Sequence, residues 1–329
     1  MKNFSPLLRP ALLILIAASV PTKSPAQDVG ADTPINLPTP AGVRIYSNLA
    51  YVDQGTPRQK LDLYLPFPIS AKPVPLIVYL HGGGWQKGSK ADGRAFAFRM
   101  VAQGFAVACI GYRLSSDALF PTQLEDCKAA VRWLRDNASR YRLDPSHFGA
   151  MGVSAGGYLA ALLGATGTTH LFDSGEHLGQ SSSVVAVCDF FGPIDLLRLF
   201  ETSDELQTPQ AREVAKLLGG DPRALKEQAR AANPVTYLEG DVPPFLIFHG
   251  TNDTVVPPEQ SRLLFDALTK RRIPAHLHLI HEAGHTGPAF VAPDINAMVN
   301  DFFTDALKPT PQSKGVPVGA LTESTARKN

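Results

Sequence analysis

The feature that most constrains this chain is a series of short, almost unbroken apolar runs: residues 76–80 (LIVYL), 105–110 (FAVACI), 147–151, 184–190 (VVAVCDF) and 245–248 (FLIF). A strand with one wet face alternates apolar and polar residues. These runs do not, so they read as strands buried on both faces, as in a parallel sheet covered by helices. The intervening stretches are helical in pattern. The clearest is 123–140, where Leu124, Cys127, Val131 and Leu134 recur at steps of three and four while Glu125, Lys128, Arg132 and Arg135 take the other side. Strands alternating with helices predict an α/β domain with its functional groups at the carboxyl ends of the strands. Residues 44–52 and 60–65 alternate around the turn-forming 53–59 (DQGTPRQ), which predicts an antiparallel pair at one sheet edge. The interval 193–242 exceeds what one crossover helix needs, so a small helical insertion is expected there, as a lid or pocket wall.

Charge narrows the partners. Lys plus Arg (31) nearly balance Asp plus Glu (30) in 329 residues, so neither nucleic acid nor a polycation is called for. Lys2 and Arg9 precede an apolar stretch at 11–20 (ALLILIAASV), too short to span a bilayer, followed by Ser24, Pro25 and Ala26. This pattern predicts an export signal over 1–26 cleaved after Ala26, a periplasmic or secreted location, and no membrane attachment thereafter. Residues 27–43 and 308–329 are rich in Pro, Gly, Ser and Thr and are expected to be mobile arms flanking a folded domain over 44–307. The odd count of cysteines (Cys109, Cys127, Cys188) argues against a disulfide framework.

Chemistry concentrates in three places. In 147–158 (HFGAMGVSAGGY) an apolar strand runs straight into Gly152, Val153, Ser154, Ala155, Gly156 and then a helix-forming run. That is GxSxG between strand and helix, a turn so tight that side chains two before and two after the serine would collide with neighbours. Ser154 is a candidate nucleophile. In 81–85 (HGGGW) the glycines let backbone amides approach an oxyanion closely, so Gly83 and Gly84, with the Ala155 amide, are the candidate oxyanion hole. In 245–253 (FLIFHGTND) a buried strand ends in a turn presenting Asp253, the candidate acid, with Asp195 as the alternative. His285 is the candidate base. Trp85 and Phe191 are candidate substrate contacts, and Phe120, Phe190 and Leu199 could share an apolar wall with Phe191.

Residues 281–285 read HEAGH, which satisfies the zinc-peptidase pattern HExxH. That pattern works only on a helix carrying both histidines on one face. Here 276–280 alternate like a strand, and Gly284, Gly287 and Pro288 follow, so the helix is not expected and neither is the metal.

The chain resembles α/β hydrolases of the esterase and lipase type with an HGGGW oxyanion loop, including bacterial carboxylesterases and feruloyl-esterase-like enzymes. The likeness extends over 44–307 and includes the order serine, acid, histidine, the Tyr112, Arg113, Leu114 segment and 190–196 (FFGPIDL). It implies a mostly parallel sheet with helices on both faces, and a Ser154–His285–Asp253 carboxylesterase needing no cofactor. Short acyl or aryl esters, including acetyl or feruloyl groups on polysaccharide, are the implied substrates. The same groups suit an amidase or exopeptidase, and a non-catalytic binding protein on this fold is the third reading.

Overall fold

A computed structural model describes Met1 and residues 39–202, 208–308, 310, 313 and 315–325. The export signal and most of the N-terminal arm lie outside the described residues. One sheet organises the rest, in the spatial order β1 (Val43–Ala50), β2 (Lys60–Pro66), β4 (Ala106–Ile110), β3 (Val74–Leu80), β5 (Leu143–Val153), β6 (Val187–Phe190), β7 (Phe245–Gly250), β8 (Ala275–His281) and β9 (Ala320–Thr325). Strand β2 runs antiparallel to both β1 and β4, which is the edge pair read from alternation. From β4 to β9 all neighbours are parallel.

The uninterrupted apolar runs serve two cores. Along β3, Leu76, Val78 and Leu80 face one core while Ile77 and Tyr79 face the other. On the first face pack α2 (Thr122–Asp136), α4 (Ala155–Thr166) and α8 (Glu259–Lys270), through Leu124, Val131, Leu159, Leu163 and Leu264. On the second pack α1 (Arg94–Ala102) and α9 (Pro293–Leu307), through Phe96, Met100, Val299 and Phe303. Each such side chain contributes roughly 1.5–3 kcal/mol relative to exposure. The three cysteines are buried free thiols within these cores.

Register sets where function can gather. Leu80 of β3 lies opposite Gly152 of β5, Val153 opposite Phe190 of β6, Phe190 opposite Phe248 of β7, and Gly250 opposite Ile280 of β8. The carboxyl ends of these adjacent strands are therefore level, and the loops leaving them meet. The expected insertion is helical: α5 (Leu196–Thr202), α6 (Pro209–Leu218) and α7 (Lys226–Ala231) fill the interval between β6 and β7.

Two expectations need correction. The pattern over 123–140 divides at Asn137 into α2 and the short α3 (Ala138–Tyr141), and the polar side of α2 is not solvated. Lys128 and Arg132 are fully buried beneath the loop that follows α4. Lys128 Nζ donates to the carbonyls of Thr166, Thr169 and Leu171, Arg132 to those of Ser174 and Glu176, and both reach Asp173 Oδ1, at 3.1 and 3.0 Å. Backbone carbonyls substitute for water around the cations, which lets an apparently solvent-facing stripe lie inside.

The C-terminal residues are not wholly a mobile arm. Residues 320–325 form β9, paired in parallel with β8. Hydrogen bonds supply what its composition lacks: Thr322 Oγ1 lies 2.8 Å from His276 Nε2 and 2.6 Å from His278 Nδ1, and Ser324 Oγ is 2.8 Å from His278 Nε2. One consistent proton order, His276 Nε2–H to Thr322 Oγ1, Thr322 O–H to His278 Nδ1 and His278 Nε2–H to Ser324 Oγ, requires the His278 imidazole to be neutral. Burial holds both histidines below their ordinary value, and His276 lowers His278 further while Asp294 opposes it. A depressed folded value gives stability that is complete above the unfolded value, about 6.5, and lost as pH falls through the folded one. The melting temperature is therefore expected to drop between pH 7 and 5, and the His276→Gln/His278→Gln double variant to drop less. Equal slopes for the two proteins would remove the histidines from the account.

Candidate active site

Ser154 leaves β5 with φ 53° and ψ −122°, a backbone conformation outside the common regions, and is followed at once by α4. The flanking glycines make the turn possible: a β-carbon on Gly152 would stand 2.1 Å from the Gly156 carbonyl oxygen, and one on Gly156 2.1 Å from that of Leu80. The hydroxyl thus sits at the N-terminal end of a 12-residue helix, where the dipole favours a nearby negative charge.

The distant candidates converge. His285 Nε2 lies 2.9 Å from Ser154 Oγ, and His285 Nδ1 lies 2.7 Å from Asp253 Oδ2. Asp253 is fixed in turn: its Oδ1 accepts the amides of Val255 (2.8 Å) and Val256 (2.9 Å), and its Oδ2 is 3.2 Å from His249 Nε2. Burial would raise the Asp253 carboxyl, but the hydrogen bonds from His249 and His285 outweigh it and hold the group far below the usual carboxylate range. Fully buried His249 is itself held by Ser261 Oγ (2.6 Å) and the Val256 carbonyl (2.8 Å). Its supporting position escaped the sequence reading, although the residue stands in the stretch that carries Asp253. The alternative acid, Asp195, lies elsewhere and accepts the Arg198 amide at the start of α5.

On the other side of Ser154 stands the 81–85 loop. The amides of Gly83, Gly84 and Ala155 donate to no described protein acceptor. The loop is braced from below: Tyr112 stacks on His81 at 4.2 Å between ring centroids and donates from its hydroxyl to the His81 carbonyl at 2.7 Å. Burial lowers His81 to about 4, so the ring is neutral near pH 7 and bonds through Nδ1 to the Gly82 carbonyl.

A small recess, open to solvent, lies beside Ser154, Gly84 and Ala155. The helical insertion supplies much of its wall through Leu199, Gln210 and Glu213, the last two unmarked by any motif in the sequence. The two candidate substrate contacts fare differently. Trp85 borders the recess, but it is only 2% exposed and its ring packs edge-on against Tyr158. Phe191 is buried with its ring 4.7 Å from the His285 imidazole, so it braces the histidine and is absent from the recess wall. Phe190 stacks on Phe248 in the core and Phe120 packs against Phe172, leaving Leu199 as the member of the expected apolar wall that lines the recess.

The second half of HEAGH is now explained. His281 is the exposed last residue of β8, Glu282 has φ 61°, and 283–287 form a turn, so the helix a zinc site needs is replaced by the loop that delivers His285.

The model of the BD-FAE family matches residues 61–268, well over half of the chain. The chain belongs to the BD-FAE family. Its fold is that of the α/β hydrolases. The BD-FAE chain superposes on a truncated carbohydrate esterase from gut microbiota with TM-score 0.74 and 31% identity, covering 80% of this chain and 96% of that one. Against an inhibited Esterase B from Lactobacillus rhamnosis the values are 0.70 and 26%, covering 83% and 90%. It is 30% identical over 222 residues to Esterase LipC of Mycobacterium tuberculosis, covering 64% of this chain and 52% of LipC. The BD-FAE chain thus spans about half the length of the curated relatives it matches.

Proposed function

We propose that this protein is a serine carboxylic ester hydrolase that acts through an acyl-enzyme on short-chain acyl or aryl esters, acetylated carbohydrate among them. The observation that carries the reading is the hydrogen-bonded series Asp253–His285–Ser154, at 2.7 and 2.9 Å, ending beside three free amides. His285 takes the Ser154 proton as the oxygen attacks the ester carbonyl. The carbonyl oxygen becomes an oxyanion held by Gly83, Gly84 and Ala155, each donor supplying about 2.7–4 kcal/mol where such a group has been removed. His285 then passes the proton to the departing alkoxide. Water, deprotonated by His285, repeats the attack on the acyl-enzyme and releases the acid and Ser154. Asp253 orients the imidazole and stabilises its cation without taking the proton.

Relatives named as carbohydrate esterase, Esterase B and Esterase LipC support an ester as substrate. The N-terminal charge and hydropathy pattern supports export, which would bring the enzyme to esters outside the cytoplasm.

The test is a chain-length series of p-nitrophenyl esters with a fluorophosphonate probe alongside. Acetyl and butyryl esters are expected to be cleaved faster than octanoyl, in the presence of chelator, with the probe attached to Ser154. Folded protein that resists the probe, or activity abolished by EDTA and restored by zinc, would defeat the proposal.

A further inference from the structure

One group in the recess wall has no part in the chemistry above. Glu213 reaches from α6 to the oxyanion loop, so that its carboxyl carbon and both oxygens lie 2.3–2.4 Å from where a β-carbon on Gly84 would stand. It lines the recess with Ser154 and Ala155, is half-buried, and makes no hydrogen bond or ion pair with any described residue. Burial pushes its carboxyl up, while Lys87 and His285 draw it back down. A carboxylate that gives up hydration without a protein partner is unfavourable unless a ligand supplies the missing donors. One turn earlier on the same helix face, Gln210 also lines the recess, and its amide is likewise without a described partner. Pro193, Leu199, Val255 and Val256 add apolar surface to the same lining.

The chemistry of these walls selects among alcohols. A carboxylate and an amide accept from and donate to hydroxyl groups, and the aliphatic side chains of the lining suit the C–H face of a sugar ring. A cationic alcohol would be better served by exposed aromatic faces, but the aromatic ring bordering the recess, Trp85, is turned into the core against Tyr158. An anionic alcohol meets like charge at Glu213. A wholly apolar alcohol leaves the carboxylate desolvated and unpaired, which is how a polar site rejects an analogue that lacks the hydroxyl.

Building on the serine hydrolase reading, we propose that Glu213 and Gln210 are specificity-determining residues that bind hydroxyl groups on the alcohol part of the ester. The preferred substrate is then an acylated polyol, such as a pyranoside with a free hydroxyl beside the ester. The experiment compares kcat/KM for a mono-O-acetyl methyl pyranoside with that for p-nitrophenyl acetate, in the wild type and in Glu213→Leu and Glu213→Gln. The ratio of pyranoside to p-nitrophenyl ester is expected to fall about tenfold or more in Glu213→Leu, chiefly through KM for the pyranoside, the usual scale for losing a hydrogen bond to a charged group. Glu213→Gln, which keeps a carbonyl acceptor, is expected to retain part of the preference. A ratio that stays constant, or two rates that fall in parallel, would overturn the assignment. Should Glu213→Leu not fold, judged by loss of fluorophosphonate labelling, an unchanged ratio in Glu213→Gln overturns it equally. A wild type that cleaves neither ester and takes no label defeats the hydrolase reading and this one with it, whereas labelled, active protein with an unmoved ratio defeats only the role of Glu213.

Discussion

Ser154→Ala is expected to reduce kcat for p-nitrophenyl acetate by about 10⁵–10⁶-fold while leaving the thermal midpoint almost unchanged. The size follows from the dependence of the three groups on one another. His285 can act as a base only toward the oxygen 2.9 Å away, and Asp253 serves only by fixing that imidazole, so removing the oxygen leaves both without a task. His285→Ala should therefore cost about as much, and the double variant little more, since groups that act as one unit are strongly non-additive. Asp253→Asn is expected to lose about 10⁴-fold, because the amide would present the wrong hydrogen-bonding pattern to Nδ1. Asp195→Asn, altering a residue whose carboxylate accepts the Arg198 amide, should stay within a few-fold of wild type. The measurement is steady-state kinetics with active-site titration. Multiplicative losses in Ser154→Ala/His285→Ala, or comparable losses in the two Asp variants, would break the assignment of roles.

The residues behind that expectation were legible because their signals are local. Gly152 is required by contact with Gly156 inside the turn and Gly156 by the Leu80 carbonyl of the neighbouring strand, but their spacing about Ser154 and the apolar runs around them can be read within one short window. The HEAGH stretch could be separated from a zinc helix for the same reason: the residues that break the helix are its immediate neighbours. What escaped depends on partners far away in sequence. Glu213 and Gln210 lie on a helix whose periodicity alone describes a surface element, and only its placement over the oxyanion loop turns them into pocket groups. Strand β9 has little apolar content, and Leu321 is 49% exposed. Its hold on the sheet comes from backbone pairing and two histidines on β8, which no window over 308–329 contains. His249 was visible in the stretch that carries Asp253, but its contact with that carboxylate needs the turn between them to close. Of the two aromatic candidates for substrate contact, Trp85 borders the recess while packing against Tyr158, and Phe191 braces His285, a difference that residue type alone does not reveal.

The buried face of α2 gives the second large expectation: Arg132→Met should lower the free energy of unfolding by about 3–5 kcal/mol, the range for breaking a buried ion pair from one side. Arg132 is fully buried, and its guanidinium joins Asp173 to the carbonyls of Ser174 and Glu176. Methionine can fill much of the volume but supplies no donors, so Asp173 keeps Lys128, Ser182 and the exposed His170, and two loop carbonyls lose a partner. The same loop also holds the antiparallel edge, because the Glu176 carboxylate accepts the Asp53 amide at 3.0 Å, so its loosening spreads toward β1 and β2. Arg142→Ala is the matched control. Arg142 likewise donates to loop carbonyls, those of Ser70 and Ala71, but it is exposed, water can replace it, and a loss below about 1 kcal/mol is expected. Urea denaturation of the two variants measures the contrast. Ser154 lies at the opposite end of α4 from the Thr166 carbonyl that Lys128 holds, so activity per folded molecule at 25 °C should survive in Arg132→Met. Equal, small losses in both variants would mean that the buried cations do not fix the loop, and that the polar side of α2 behaves as an ordinary solvated face after all.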